Sequence, residues 1–344
     1  MIVLNKHTKW FKRKTSVKIA DSWSDLLPEQ YIEIVRLIHL FIATKISLMH
    51  FRLYVLQALS GYKRSKKRYK LEQIETINSN LAILAGMLTF PVRPRYTNPE
   101  YLEVLSEGLR QKLKIYFPEE IYEAEYINEL LMVKDKLKYE PRVNLDFRCN
   151  PLQYITFKKS KLSGPVFNID KNGVVQTDMI ALEFVDASQF ADLYYQTKDE
   201  NYLNNLISVL YRKNRKEYST HEAQIKAEKL TNLPFYTKFG VLLFFQSVVY
   251  YLSKHSQFGI LYDRPSETEN KQPKLDLGVG NVMAQLTKDG FGTRYEIEHL
   301  PLGDYFLLLL KQIVDAVTSM RDAKIKDFDI AKKLHITLQT VQKI

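Results

Sequence analysis

Cysteine is almost missing from these 344 residues: Cys149 stands alone, beside only twelve glycines and twelve prolines. One thiol closes no intrachain disulfide and builds no cysteine-rich zinc site, and it suits a reducing compartment. Against that scarcity of Gly and Pro stand twenty-two Tyr and eighteen Phe, a balance that excludes low-complexity and linker-like chains. No uninterrupted apolar stretch approaches the roughly 20 residues of a membrane span. The longest uncharged run, Gly240 to Leu252, is shorter and carries Gln246 and Ser247 in its middle, so it reads as a core helix. Met1-Ile2-Val3-Leu4 turns basic at once and lacks the apolar core of an export signal, so a cytoplasmic or particle-borne protein is expected.

Catalytic and metal signatures are equally scarce. The seven histidines, His7, His39, His50, His221, His255, His299 and His335, never fall at metal-ligand spacing, and no serine sits in a nucleophile elbow. Asp170 and Asn172 begin like a calcium loop, but Gly173 comes too early and no bidentate Glu follows. Gly278-Val279-Gly280 would open a dinucleotide fingerprint, yet Met283 occupies the third glycine position. The expectation is a non-enzymatic protein with no cofactor and no metal.

The net charge of +11 is concentrated at one end. Residues 1–70 hold fifteen Lys and Arg against four acidic residues, the whole surplus, and the rest of the chain carries 35 of each sign. Lys63, Arg64, Lys66, Lys67, Arg68 and Lys70, flanked by Tyr62 and Tyr69, are the densest run. Such a run can hold phosphates and stack bases; it is equally the composition of a solvated inter-helical loop.

Helical spacing dominates the order of the chain. Pro28 heads a helix whose apolar face is Ile34, Leu37, Ile38 and Phe41, and a second helix over Leu48–Leu59 stops at Gly61. A helix over Leu71–Leu88 and another from Asn98-Pro99-Glu100 through Leu113 follow. Periodicity then fails from Tyr139 to Phe167, and Val166–Val175 reads as a hairpin turning at Asn172-Gly173. From Asp178 onward Ile180, Phe184, Ala187, Ala191 and Tyr194 share a helix face; Leu203, Leu206, Ile207 and Leu210 resume it after a polar break. Ser219 with Glu222 has capping-box spacing, and Asn232-Leu233-Pro234 stops that helix before the central run. Tyr305–Val317 is the last strongly apolar helix.

At the end, Asp329 to Ile344 resembles the helix-turn-helix of DNA-binding regulators: Ala331 is small where two helices touch, and Val341 and Ile344 follow at core spacing. His335 replaces the usual turn glycine. That resemblance would turn Thr337, Leu338, Gln339, Gln342 and Lys343 toward a major groove; the alternative is an amphipathic tail packing Ile330, Leu334, Val341 and Ile344 on the body.

Over about residues 16–317 the chain also resembles a little-characterised family from phage and prophage tail modules of Bacteroidota. The carrying residues are Ser22-Trp23-Ser24-Asp25-Leu26-Leu27-Pro28-Glu29-Gln30-Tyr31, Glu183-Phe184-Val185-Asp186-Ala187, Asn205-Leu206-Ile207-Ser208-Val209-Leu210-Tyr211-Arg212 and Leu243-Phe244-Phe245. The resemblance implies a tail-assembly factor or virion-associated protein whose partners are other virion proteins, with no enzymatic residue to carry over. Leu27 departs, since the family has a capping hydroxyl there.

The expected fold is mainly α, a multi-helix globular protein with short strands near the N-terminus and around 164–176. Its expected parts are a basic helical region over 1–140, an irregular or hairpin connection over 141–176, a helical core over 177–320 with a mobile loop at 264–277, and tail helices over 321–344. Two functions stand open: protein-binding tail assembly, and nucleic-acid binding through the basic region and the C-terminal segment.

Overall fold

Mainly helical, with four short antiparallel ladders among the described residues, the computed structural model covers 2–7, 14–60, 85–86, 88–133, 135–263, 283 and 286–344. Of 2–7 and 14–18 the backbone alone is described. The basic run Lys63–Lys70, Gly61, nearly all of the helix expected over 71–88 and the loop expected over 264–277 lie outside the described residues. The chain divides into two units, 1–144 and 145–344.

In the first unit, β1 (Ile2–His7) pairs with β2 (Lys14–Ile19) in register from Ile2↔Ile19 to His7↔Lys14. Two helices follow, α1 (Pro28–Ile42) and α2 (Leu48–Ser60), joined at Thr44, a β-branched residue in the left-handed region at φ 55°. Leu27 offers no capping side chain. Its backbone N–H donates instead to the Gln30 carboxamide at 3.0 Å, and the same Gln30 donates to the Leu59 carbonyl at 3.1 Å, so one side chain starts α1 and closes α2. Trp23 holds the two ends of the unit: its indole N–H donates to the Asn144 carbonyl at 2.8 Å, and its ring meets Tyr31 and Phe90 edge-on.

β3 (Val92–Tyr96) pairs with β4 (Tyr139–Val143), a ladder that apolar periodicity does not announce, and Pro94 faces Pro141 in it. Neither proline can donate, so the pair takes a non-hydrogen-bonded position and removes a donor from both outer edges. Between these strands the single helix expected through Leu113 is two: α3 (Glu100–Glu103) and α4 (Glu107–Leu113). Ser106 makes the break. Its hydroxyl caps α4 at Leu109 N–H, and its own N–H donates to Glu129 of α5 (Ala124–Val133) at 2.8 Å. Leu105, Leu109, Leu113, Leu130 and Val133 form the core between them.

The second unit opens with hairpins β5 (Tyr154–Phe157) with β6 (Ser160–Ser163), and β7 (Phe167–Ile169) with β8 (Val175–Thr177). The second of these is the hairpin read at Asn172-Gly173, but only Gly173 takes a positive φ; Asp170 shapes the turn by accepting from the Asn172 and Val174 N–H groups, each at 2.8 Å. Helices then take over: α6 (Ala181–Thr197), α7 (Glu200–Leu210), α8 (Thr220–Lys229), α9 (Phe235–Lys254), α10 (Arg294–Glu298), α11 (Leu302–Asp322), α12 (Asp327–Leu334) and α13 (Leu338–Lys343). Lys198 ends α6 in the left-handed conformation and Asp199 caps α7, which is the polar break read between them.

α9 is longer than its uncharged run because Pro234 starts it before Phe235 and Lys254 still belongs to it. By length and composition it could cross a membrane, yet Val241, Leu242, Phe244, Phe245 and Val248 are buried within the unit. It is a core helix. Phe245 meets Phe184 of α6 at 5.6 Å between ring centroids, Phe184 meets Phe306 of α11 edge-on at 5.3 Å, and Phe244 meets Phe167 of β7 at 6.0 Å.

Candidate functional site

Three places hold chemistry worth weighing: the C-terminal helices, a buried charge cluster in the second unit, and the outer face of α5 in the first.

The lower part of α11 packs with α12 and α13 around Val317, Ile330, Ala331, Ile336 and Val341. His335 sits between α12 and α13 in the left-handed conformation, φ 53°, which a turn glycine supplies without steric cost. Gln339, Gln342 and Lys343 are exposed, as is Leu338. Thr337 is not: it caps α13, and its hydroxyl donates to Asp263 at 2.7 Å, while the buried Thr340 hydroxyl donates to the same carboxylate oxygen. A carboxylate therefore occupies the helix end that a recognition helix would turn toward phosphate. Beside it lies a polar cleft of about 400 Å³ lined by Lys254, Gln257, Tyr262, Asp263, Gln339 and Lys343 among others. Asp263 could not be read from sequence, since it stands 74 residues from Thr337.

The charge cluster joins two of the stretches that carry the tail-module resemblance. Glu183 of α6 is fully buried, and Arg212, just after α7, donates to it at 2.6 Å. Arg215 donates to Glu183 at 2.8 Å and to both carboxylate oxygens of Asp178 at 3.0 Å. Reaching that position puts Asn214 and Arg215 in the left-handed region, an uncommon state for either residue. Burial pulls the Arg215 guanidinium down, but Glu183 and Asp178 outweigh it and the net shift is upward. Lys226 of α8 donates to the Tyr211 carbonyl, and burial, with Arg212 adding to it, lowers its ammonium to about 8. Tyr218 lies beneath Arg212 and donates to Asp186 at 2.5 Å; burial raises Asp186 despite that bond and the one from Thr220. Every member is tied to another. The arrangement fastens the α6–α7–α8 corner, with Glu183 as the shared acceptor.

In the first unit, α5 buries Leu130 and Val133 but leaves Ile127, Leu131 and Met132 in solvent, together with Tyr122 just before it and Val104 near its Glu129 edge. Ile127 and Leu131 are one turn apart and form a stripe. Glu123, Glu125 and Glu129 border it, and from Phe117 to Val133 there is no Lys or Arg. The helix spacing was present in the sequence, but two apolar faces on one helix blur the period that marks a half-buried one.

The basic run Lys63, Arg64, Lys66, Lys67, Arg68 and Lys70 is outside the described residues, so its relation to these features has no structural description. Among the described residues no group of three or more His, Cys, Asp or Glu side chains is arranged to hold a metal ion. Comparison with the models of known protein families, with curated proteins and with solved structures finds no match.

Proposed function

We propose that the protein is a non-enzymatic tail-assembly factor or minor virion component of a phage or prophage, acting by binding other proteins. The observation that carries this reading is the outer face of α5, where large apolar side chains stand in solvent inside an acidic border. Apolar residues grouped in that way are characteristic of protein-binding surfaces, and an acidic border repels nucleic acid. The residues behind the tail-module resemblance add support of another kind: Trp23, Tyr31, Glu183, Phe184, Arg212 and Phe245 all serve the scaffold, as expected of a protein whose work is to hold shape.

Nucleic-acid binding is the second reading, favoured by the left-handed turn at His335 and the exposed Gln339, Gln342 and Lys343. Asp263 at the head of α13 counts against it. Mass spectrometry of purified particles, with a nuclease-treated pull-down of tail proteins, separates the two. Recovery of virion proteins after nuclease supports assembly. Binding to DNA that weakens steeply with salt, with no virion protein recovered, supports the second reading.

A further inference from the structure

The outer face of α5 has a complement on the same unit. At the α1–α2 corner lies a cleft of about 590 Å³ lined by Phe41, Ile42, Ile46 and Pro141, with Lys45 and Glu140 also in its wall. Ile42 is half exposed there, and Phe41 is fixed by stacking on Phe51 at 5.0 Å. Glu140 already faces Arg95 at 3.4 Å. From Ile34 to Ser60 the chain has Arg36, Lys45 and Arg52 and no acidic residue, whereas Phe117 to Val133 has Glu119, Glu120, Glu123, Glu125 and Glu129 and no basic one. One apolar surface thus sits in a basic segment and the other in an acidic segment.

We infer that the chain self-associates head to tail, the Ile127–Leu131 stripe of α5 in one copy seating in the α1–α2 cleft of the next. The inference rests on the protein-binding reading above and names its partner as a second copy of this chain. A two-fold contact of α5 with α5 would set Glu125 against Glu125 and leave both clefts empty, so like charges disfavour it. The contact between stripe and cleft joins different surfaces. Such a contact is not used up in a dimer, because each added copy presents a free cleft at one end and a free stripe at the other, giving a ring or an open filament. Opposite charge at the borders sets which surface finds which, while the apolar side chains supply the burial.

Sedimentation velocity on the full chain tests this. The parent is expected to grow in mass past the dimer as concentration rises. Leu131→Asp spoils only the stripe and Ile42→Asp only the cleft, so each alone is expected to run as a monomer. Mixed in equal amounts they are expected to form a one-to-one dimer that grows no further, since one supplies an intact cleft and the other an intact stripe. Leu131 is 62% and Ile42 50% exposed, so both variants are expected to keep the parent's melting temperature; Ile127→Ser serves as a second stripe variant. A monomeric parent, single variants that still dimerise, or a mixture that stays monomeric would overturn the inference. A monomeric parent that nonetheless co-purifies with particles would overturn self-association while leaving the protein-binding reading in place.

Discussion

Glu183 and Arg212, 29 residues apart in the chain, meet at 2.6 Å where the Glu183 side chain has almost no contact with solvent. Arg215 completes the site from a strained turn, so removing the carboxylate charge strands two guanidinium groups at once.

Glu183→Gln is accordingly expected to cost about 3–5 kcal/mol, the usual penalty for breaking a buried ion pair from one side. Chemical denaturation monitored by far-UV circular dichroism measures it. Arg294→Gln, at the exposed Arg294–Glu298 pair, is the control and is expected to leave the midpoint unchanged.

Phe245→Ala removes a ring that is 1% exposed and packed on Phe184, and is expected to cost about 3–5 kcal/mol through lost burial and a cavity. The same denaturation curve reads it, and an unchanged midpoint would contradict the central position given to α9.

Lys226 gives a pH dependence of known sign. Its ammonium titrates near 8 in the folded protein against an ordinary 10.5, so between those values the unfolded chain binds more protons. Its contribution to stability therefore rises with pH across that window. Melting temperatures of the parent minus those of Lys226→Met, taken from pH 7 to 10, should increase steadily; a flat or falling difference would show that Lys226 is not desolvated.

Much of the helical core was legible because burial on one side imprints a period. Phe184, Ala187, Ala191 and Tyr194 line the inner face of α6 at the spacing read from sequence, and Leu203, Leu206, Ile207 and Leu210 do the same on α7. The β7–β8 hairpin was legible through Gly173. What escaped depends on partners far away in the chain. Ser106 splits a helix because Glu129 accepts its N–H, Gln30 replaces a missing hydroxyl cap, and Asp263 meets Thr337 across 74 residues. The β3–β4 ladder joins segments that show no alternation, since its side chains are mostly exposed or half-exposed on both faces.

The basic run separates the two functional readings by magnitude. Replacing Lys63, Arg64, Lys66, Lys67, Arg68 and Lys70 by Gln is expected to leave melting temperature and protein partners unchanged. Had those side chains held phosphates, the slope of log affinity against log salt would flatten by roughly 0.7–0.9 per lost contact. Filter binding to DNA over a salt series decides it.

The central claim is that this chain works through protein contacts made by the outer face of α5. The most direct test is the amount of Leu131→Asp protein recovered in purified, nuclease-treated particles, relative to the parent. The account predicts a loss of at least about tenfold, the equivalent of roughly 1.4 kcal/mol of binding, with melting temperature unchanged. Equal recovery of variant and parent, together with loss of the six-Gln protein from the same particles, would contradict it.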